Sequence, residues 1–277
     1  MTRRRIVRAL VFLSLCLWLL LVALPMVWLI CSSFKSNRAI FENPWSLPTS
    51  LDLTNYAQAW KKSDVGAYFL NSIVTVSAAL FATLFLSAMA AYGVARIRVR
   101  GRRVAYYVFL LGMIVPSALS LAPLFELLRS LGMLNTLTGL ALVYVAFSIP
   151  FSVLVLYGFF VSLPEEMHEA AVVDGASEWQ TFWHVFLPMV RPGLVTVGIF
   201  NFLGMWNEYL LALVLLITPD KQTLPLGIAN MVVALNYRSD WGTLFAVMIL
   251  AMLPVLLAYL VLHKRVVEGM IMGAVKG

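Results

Sequence analysis

A chain of 277 residues with 62% hydrophobic and only 12% charged residues is not a soluble globular domain, in which about a quarter of residues are charged. Its net charge of +7 fits Lys and Arg holding loops on the cytoplasmic side of a membrane better than nucleic-acid binding. The composition predicts an all-α polytopic membrane protein, because a bilayer core demands helices of about 20 apolar residues.

Six spans can be drawn, at residues 6–30, 69–95, 104–128, 137–160, 189–217 and 243–263. The first follows MTRRRIVRAL and is longer than the core of a signal peptide, about 7–15 residues. Residues 1–31 are therefore expected to be a retained first span with a cytoplasmic N-terminus. Cys16 and Cys31 would lie about 22 Å apart on that helix, too far for a disulfide. The second span is rich in small residues near its end (Ser87, Ala88, Ala90, Ala91, Gly93), which lets helices approach closely in lipid. Pro116 and Pro123 interrupt the third and Pro150 the fourth. Such prolines imply kinks where neighbouring helices or a cavity satisfy the freed carbonyls.

Lys and Arg cluster at Arg3, Arg4, Arg5 and Arg8, at Arg96 to Arg103, and at Lys264 and Arg265. This bias places both termini inside. Residues 32–68 and 218–242 then lie outside, the former with helix-start signals at Thr54 and Asn55 and aromatics Tyr56 and Trp60. Either segment could be an interfacial cap or a docking face.

One loop departs from the charge pattern. Between Ser130 and Val190 there is no Lys or Arg, while Glu165, Glu166, Glu169, Asp174 and Glu178 are acidic. The parity of the spans nevertheless puts it inside. Ser162 with Glu165, and Ser177 with Gln180, have the spacing of capping boxes. Gly175 suits a left-handed turn after Asp174, and Leu187-Pro188 is expected to end the second helix. The loop is thus predicted to be two short helices around a tight turn, the second with an apolar stripe of Trp179, Phe182, Trp183 and Phe186. Its acidic sign excludes phosphate binding.

Catalytic signals are missing. No lysine follows a glycine, so there is no G-x-x-x-x-G-K phosphate loop. His168-Glu169 lacks the second histidine of a zinc protease motif, because Val172 stands there. The ionisable residue deepest in a span is Glu208, within NFLGMWNEYLLAL. Intramembrane charges are functional candidates. Asn201, Trp206, Asn207, Glu208 and Tyr209 are therefore candidate linings for a hydroxyl-rich solute, with interhelical polar glue as the alternative. On one continuous helix Asn201 and Glu208 would share a face.

The string EAAVVDGASEWQTFWHVFLPMVRP resembles the EAA signature of permease subunits in binding-protein-dependent ABC importers. Glu169-Ala170-Ala171, Asp174-Gly175-Ala176, Leu187-Pro188 and Pro192 carry that likeness. NSIVTVSAALFATLFLSAMAAYGVAR, WNEYLLAL, LPLGIAN and the closing GAVKG resemble the carbohydrate branch, in particular the shorter, maltose-permease-G-like partner of a two-permease pair. The resemblance implies a six-helix type I importer fold with a core over residues 69–263 and a cytoplasmic coupling helix between spans four and five, within residues 162–188. It implies that Glu165, Glu169, Ala170, Ala171, Asp174, Gly175, Phe182, Leu187 and Pro188 meet a partner ATPase. It implies that Leu224, Pro225, Leu226, Gly227 and Asn230 meet an extracytoplasmic solute-binding protein. Gly273, Lys276 and Gly277, in the tail from residue 264, would approach the ATPases. Expected partners are a second homologous permease, two ATPase subunits carrying ATP and Mg, a binding protein, a sugar and membrane lipid. The chain itself is expected to hold no cofactor or metal and to catalyse no reaction. The implied location is the cytoplasmic (inner) membrane of a bacterium or archaeon. Rival expectations are import of glycerol phosphate or another small solute, an ion-coupled carrier, and a membrane enzyme.

Overall fold

The computed structural model describes residues 2–62, 64–97, 100–238 and 240–274, and every regular element among them is helical. Helix α1 (Thr2–Ser33) carries the first apolar run. Helix α2 (Asn37–Glu42) is capped by Ser36, whose side chain accepts the Ala39 N–H. Helix α3 (Thr54–Lys62) begins at the expected Thr54. There the Asp52 carboxylate accepts both the Thr54 N–H and its hydroxyl, which holds this acid below the usual carboxylate range. Helices α4 (Val65–Arg96) and α5 (Arg102–Gly112) follow.

A 3-10 turn (Ser117–Ser120) then leads into α6 (Leu121–Ser130). The third expected span is therefore two helical pieces meeting at 90°. Pro116 stands at the bend, where its missing N–H costs no helical bond. Helix α7 (Leu137–Ser162) runs unbroken through Pro150. Next come α8 (Glu166–Val173), α9 (Glu178–Gln180), a π-helical segment (Thr181–Phe186), α10 (Leu187–Met189) and α11 (Arg191–Trp206). The chain continues through α12 (Leu210–Leu215), a 3-10 turn (Pro219–Lys221), α13 (Leu224–Arg238) and α14 (Trp241–Ala274).

Four stretches among the described residues are long and apolar enough to cross a membrane: Arg4–Ser33, α4, α7 and Trp241–Val261. Two bent pairs, α5 with Ser117–Ser130 and Glu178–Met189 with α11, raise the number to six if each pair is one span. The fifth expected span, 189–217, is not one helix, because α11 stops at Trp206 and α12 starts at Leu210. The last helix reaches Ala274, so the expected tail from residue 264 continues the sixth span as helix. Lys276 and Gly277 lie outside the described residues.

The chain divides into two compact units, residues 1–66 with 228–253 and residues 67–227 with 254–277. In the first unit, hydrogen bonds knit the segment after α1 to α3 and to the start of α14. Asn55 Nδ2 donates to the carbonyls of Ser33 at 2.8 Å and Lys35 at 2.9 Å, and the Gly242 N–H donates to Asn37 Oδ1. Trp28 donates to the Pro44 carbonyl and stands edge-on to Phe245. The buried Lys35 ammonium donates to the Asn43 and Pro44 carbonyls, a pairing that offsets the cost of burying charge.

The second unit is built around a cluster of α4, α7, α11 and the segment 182–190, with Ala88, Ala91, Tyr92, Val153, Leu156, Phe160, Phe182, Phe186, Val190 and Val197 buried together. Small residues on α4 permit the close approach, as expected for helices in lipid. At Gly193 a Cβ would stand 2.7 Å from the Phe159 ring, so α11 meets α7 there only because glycine lacks one.

Candidate functional site

The hairpin at residues 164–190 is assembled by local rules. Helix α8 ends in a Schellman motif: Gly175 has φ +78°, its N–H donates to Val172 O, and the Ala176 N–H donates to Ala171 O. Helix α9 begins with the expected capping box, Ser177 accepting the Gln180 N–H and Gln180 accepting the Ser177 N–H at 2.8 Å. The other expected capping box is not formed. Helix α7 runs through Ser162, whose hydroxyl donates back to Phe159 O, and Glu165 precedes α8 without a side-chain cap. Leu187-Pro188 does not stop the helix, which continues to Met189. Pro188 has no N–H for His184 O, and the Leu187 N–H reaches Phe182 O instead. The turn widens to π geometry around the missing donor.

The hairpin has an inner and an outer face. Thr181, Phe182 and Phe186 are buried against α4 and α7. Tyr92 packs on Phe182 and Phe186 at centroid distances of 5.2 and 5.4 Å. Outward lie Glu165, Glu169, Ala170, Val172, Val173, Asp174 and Gly175, all exposed, while Ala171 is buried and Leu187 and Pro188 are half-buried. Val173 is 86% exposed, an unusual position for an aliphatic side chain beside so many carboxylates. A groove of about 700 Å³ runs beside this face, lined by Arg96, Arg102, Glu165, His168, Glu169 and Glu178 among others.

The candidate solute residues separate. Asn201 is buried and donates to Ser152 Oγ at 2.8 Å. Trp206 is buried between Phe69 and Phe202. Glu208 does not share a helical face with Asn201, because it lies in the gap between α11 and α12. Its carboxylate accepts the Leu211 N–H at 2.6 Å, the Ala212 N–H at 3.1 Å and the Tyr144 hydroxyl at 2.9 Å. It caps α12 and satisfies donors that lipid cannot. Asn207 and Tyr209, on either side of it, are exposed.

Leu224, Leu226 and Gly227 are buried, and the Leu224 N–H donates to Ser72 Oγ. Pro225 is half-buried and Asn230 exposed, which leaves these two as the surface positions of that set. Gly273 lies in α14. Four residues outside the expected sites organise them: Tyr92 and Arg96 at the hairpin, Tyr144 at the break, and Asn135. Asn135, in a left-handed conformation with φ +59°, accepts the Ile217 and Thr218 N–H groups. No periodicity or spacing pairs them with their partners, although the Gly132 to Thr136 turn composition marks a loop. Among the described residues no group of His, Cys, Asp and Glu could hold a metal.

These features define an all-helical membrane protein with a polar helical hairpin wedged between its apolar helices. The chain belongs to the family described as "binding-protein-dependent transport system inner membrane component", which matches residues 83–272. It is 46% identical over 259 residues to the diacetylchitobiose uptake system permease protein NgcG of Streptomyces coelicolor, covering 94% of this chain and 86% of that one. It is 33% identical over 254 residues to the trehalose transport system permease protein SugB of Mycobacterium tuberculosis, with 92% of each covered. A crystal structure of a bacterial ABC transporter involved in the import of the acidic polysaccharide alginate contains a chain with the same fold, at TM-score 0.85 and 23% identity, covering 95% of this chain and 98% of that chain. The fold is thus that of an ABC importer permease, an inner-membrane transport subunit and not an enzyme.

Proposed function

We propose that this chain is the translocation-pathway subunit of an ATP-driven importer for a sugar or oligosaccharide. The observation that carries the proposal is the two-faced hairpin. Its inner face is fixed in the helix bundle by Phe182 and Phe186, and its outer face offers Glu165, Glu169, Asp174 and the apolar Val172 and Val173 to a partner. A rigid, exposed, capped turn suits insertion into a groove of a cytoplasmic ATPase. ATP and Mg would bind on two such ATPase subunits, a second homologous permease would complete the path, and an extracytoplasmic binding protein would deliver the solute. Both chain termini would be cytoplasmic. Relatives that carry diacetylchitobiose and trehalose in their names support a sugar. Asn207 and Tyr209, exposed at the break between α11 and α12, supply an amide and an aromatic ring suited to hydroxyls and sugar faces. Pro225 and Asn230 are the proposed points of binding-protein contact.

Vesicles carrying the whole complex and its binding protein test this. Uptake of labelled diacetylchitobiose or trehalose should require ATP and the binding protein. Uptake that survives ATP depletion and follows an ion gradient would overturn it.

A further inference from the structure

Tyr92 and Arg96 lie one turn apart near the end of α4, and both grip neighbouring elements. The Tyr92 ring is 4% exposed, among Phe160, Phe182 and Phe186. Its hydroxyl donates to Glu178 Oε2 at 2.8 Å. Glu178 belongs to the second limb of the hairpin. Its other oxygen, Oε1, lies 3.1 Å from Nε2 of His168, in the first limb. One carboxylate therefore joins α4, α8 and α9. The Arg96 guanidinium donates to the Phe160 and Leu163 carbonyls at the end of α7 and sits over the Phe186 ring, 5.0 Å from its centroid.

The aromatic contacts of Tyr92 hold the hairpin against α4 over a range of centroid distances, about 4.5–7 Å. A hydrogen bond to a carboxylate is directional and charge-assisted, so it fixes the register. We propose that the Tyr92–Glu178 bond is the transmission link that passes displacement of the hairpin to α4, with His168 on the same carboxylate making the two limbs move as one body. The link rests on the coupling role proposed above for the hairpin. Tyr92 and Glu178 are positioning residues that act through the hairpin and need not touch solute.

The test uses the assembled complex in proteoliposomes, measuring ATP hydrolysis and solute uptake on the same vesicles. Tyr92→Phe and Glu178→Ala should still co-purify with the ATPases and hydrolyse ATP, yet carry about one fifth or less of the normal solute per ATP. The Tyr92→Phe/Glu178→Ala double variant should be no worse than the more severe single one, since both remove the same bond. Glu178→Gln, which keeps an acceptor for the Tyr92 hydroxyl, should restore the ratio. Unchanged solute per ATP in Tyr92→Phe and Glu178→Ala, or strictly additive losses in the double variant, would overturn the link. Gly175→Val serves as the control. If it abolishes uptake while Tyr92→Phe and Glu178→Ala leave the ratio intact, the link fails and the coupling hairpin stands. If Gly175→Val leaves uptake intact, the coupling role fails, and the link with it.

Discussion

The hairpin at residues 164–190 and the break at Asn207 to Tyr209 both interrupt apolar helix with polar residues, but they use their acids in opposite ways. In the hairpin, the turn closes on its own backbone and on Ser177 and Gln180, leaving Glu165, Glu169 and Asp174 exposed. At the break, Glu208 is turned onto the backbone and takes two helix-start N–H groups and the Tyr144 hydroxyl. Water can satisfy the helix ends of an exposed hairpin. Leu211 and Ala212 at the break are buried, so their N–H groups need an acceptor from the protein, and Glu208 supplies it. The availability of backbone donors, more than the chemistry of the carboxylate, decides whether an acid faces a partner or braces the fold.

That contrast can be broken by substitution. The largest effect should come from Gly175→Val. A side chain at Gly175 has open space, so the penalty is conformational, about 1–2 kcal/mol for a left-handed residue and most severe when branched. Uptake should fall about tenfold or more, whereas Gly175→Asn, tolerant of that conformation, should retain it. Equal uptake in both variants would show that the turn geometry does not matter.

Glu208→Ala should instead act on stability. Leaving the donors of α12 unpaired costs about 1–3 kcal/mol, read as a lower melting temperature of the detergent-solubilised protein, with Glu208→Gln intermediate. A lost solute affinity at full stability would make Glu208 a ligand-facing group after all. Ser177→Ala removes a cap worth about 1 kcal/mol, and should speed amide exchange at Gln180 without changing the melting temperature of the bundle. The smallest effect is expected of Asn201→Ala, whose bond to Ser152 is the kind that contributes about 0.6 kcal/mol inside a membrane. A larger loss of uptake than of stability there would give Asn201 a role in the path.

Much of the hairpin was legible in the sequence because its signals are local. Ser177 with Gln180, and Gly175 after Asp174, name their own geometry. Ser162 with Glu165 has the same spacing and misleads, since α7 has more apolar residues to bury and absorbs Ser162 before Pro164 intervenes. Pro188 was a correct signal of irregularity with the wrong outcome, because widening one turn satisfied the chain without ending the helix. The break at Glu208 was hidden. No Gly or Pro stands at 207–209 and apolar residues flank both sides, so the pattern reads as one helix. The carboxylate that caps the new helix there is held by a tertiary partner, Tyr144, 64 residues away, which no local pattern announces. The joins at Tyr92, Arg96 and Asn135 were illegible for the same reason.

Arg96 shows a further economy. On the proposed orientation it is one of the charges that decide which way the nascent chain enters the bilayer, and in the finished protein it closes the end of α7 and lies over Phe186. Lysine would keep the charge but not the planar fork or the ring contact. Arg96→Lys thus separates biogenesis from mechanics: the chain would insert the right way round and in normal amount, yet be assembled around a loosened joint.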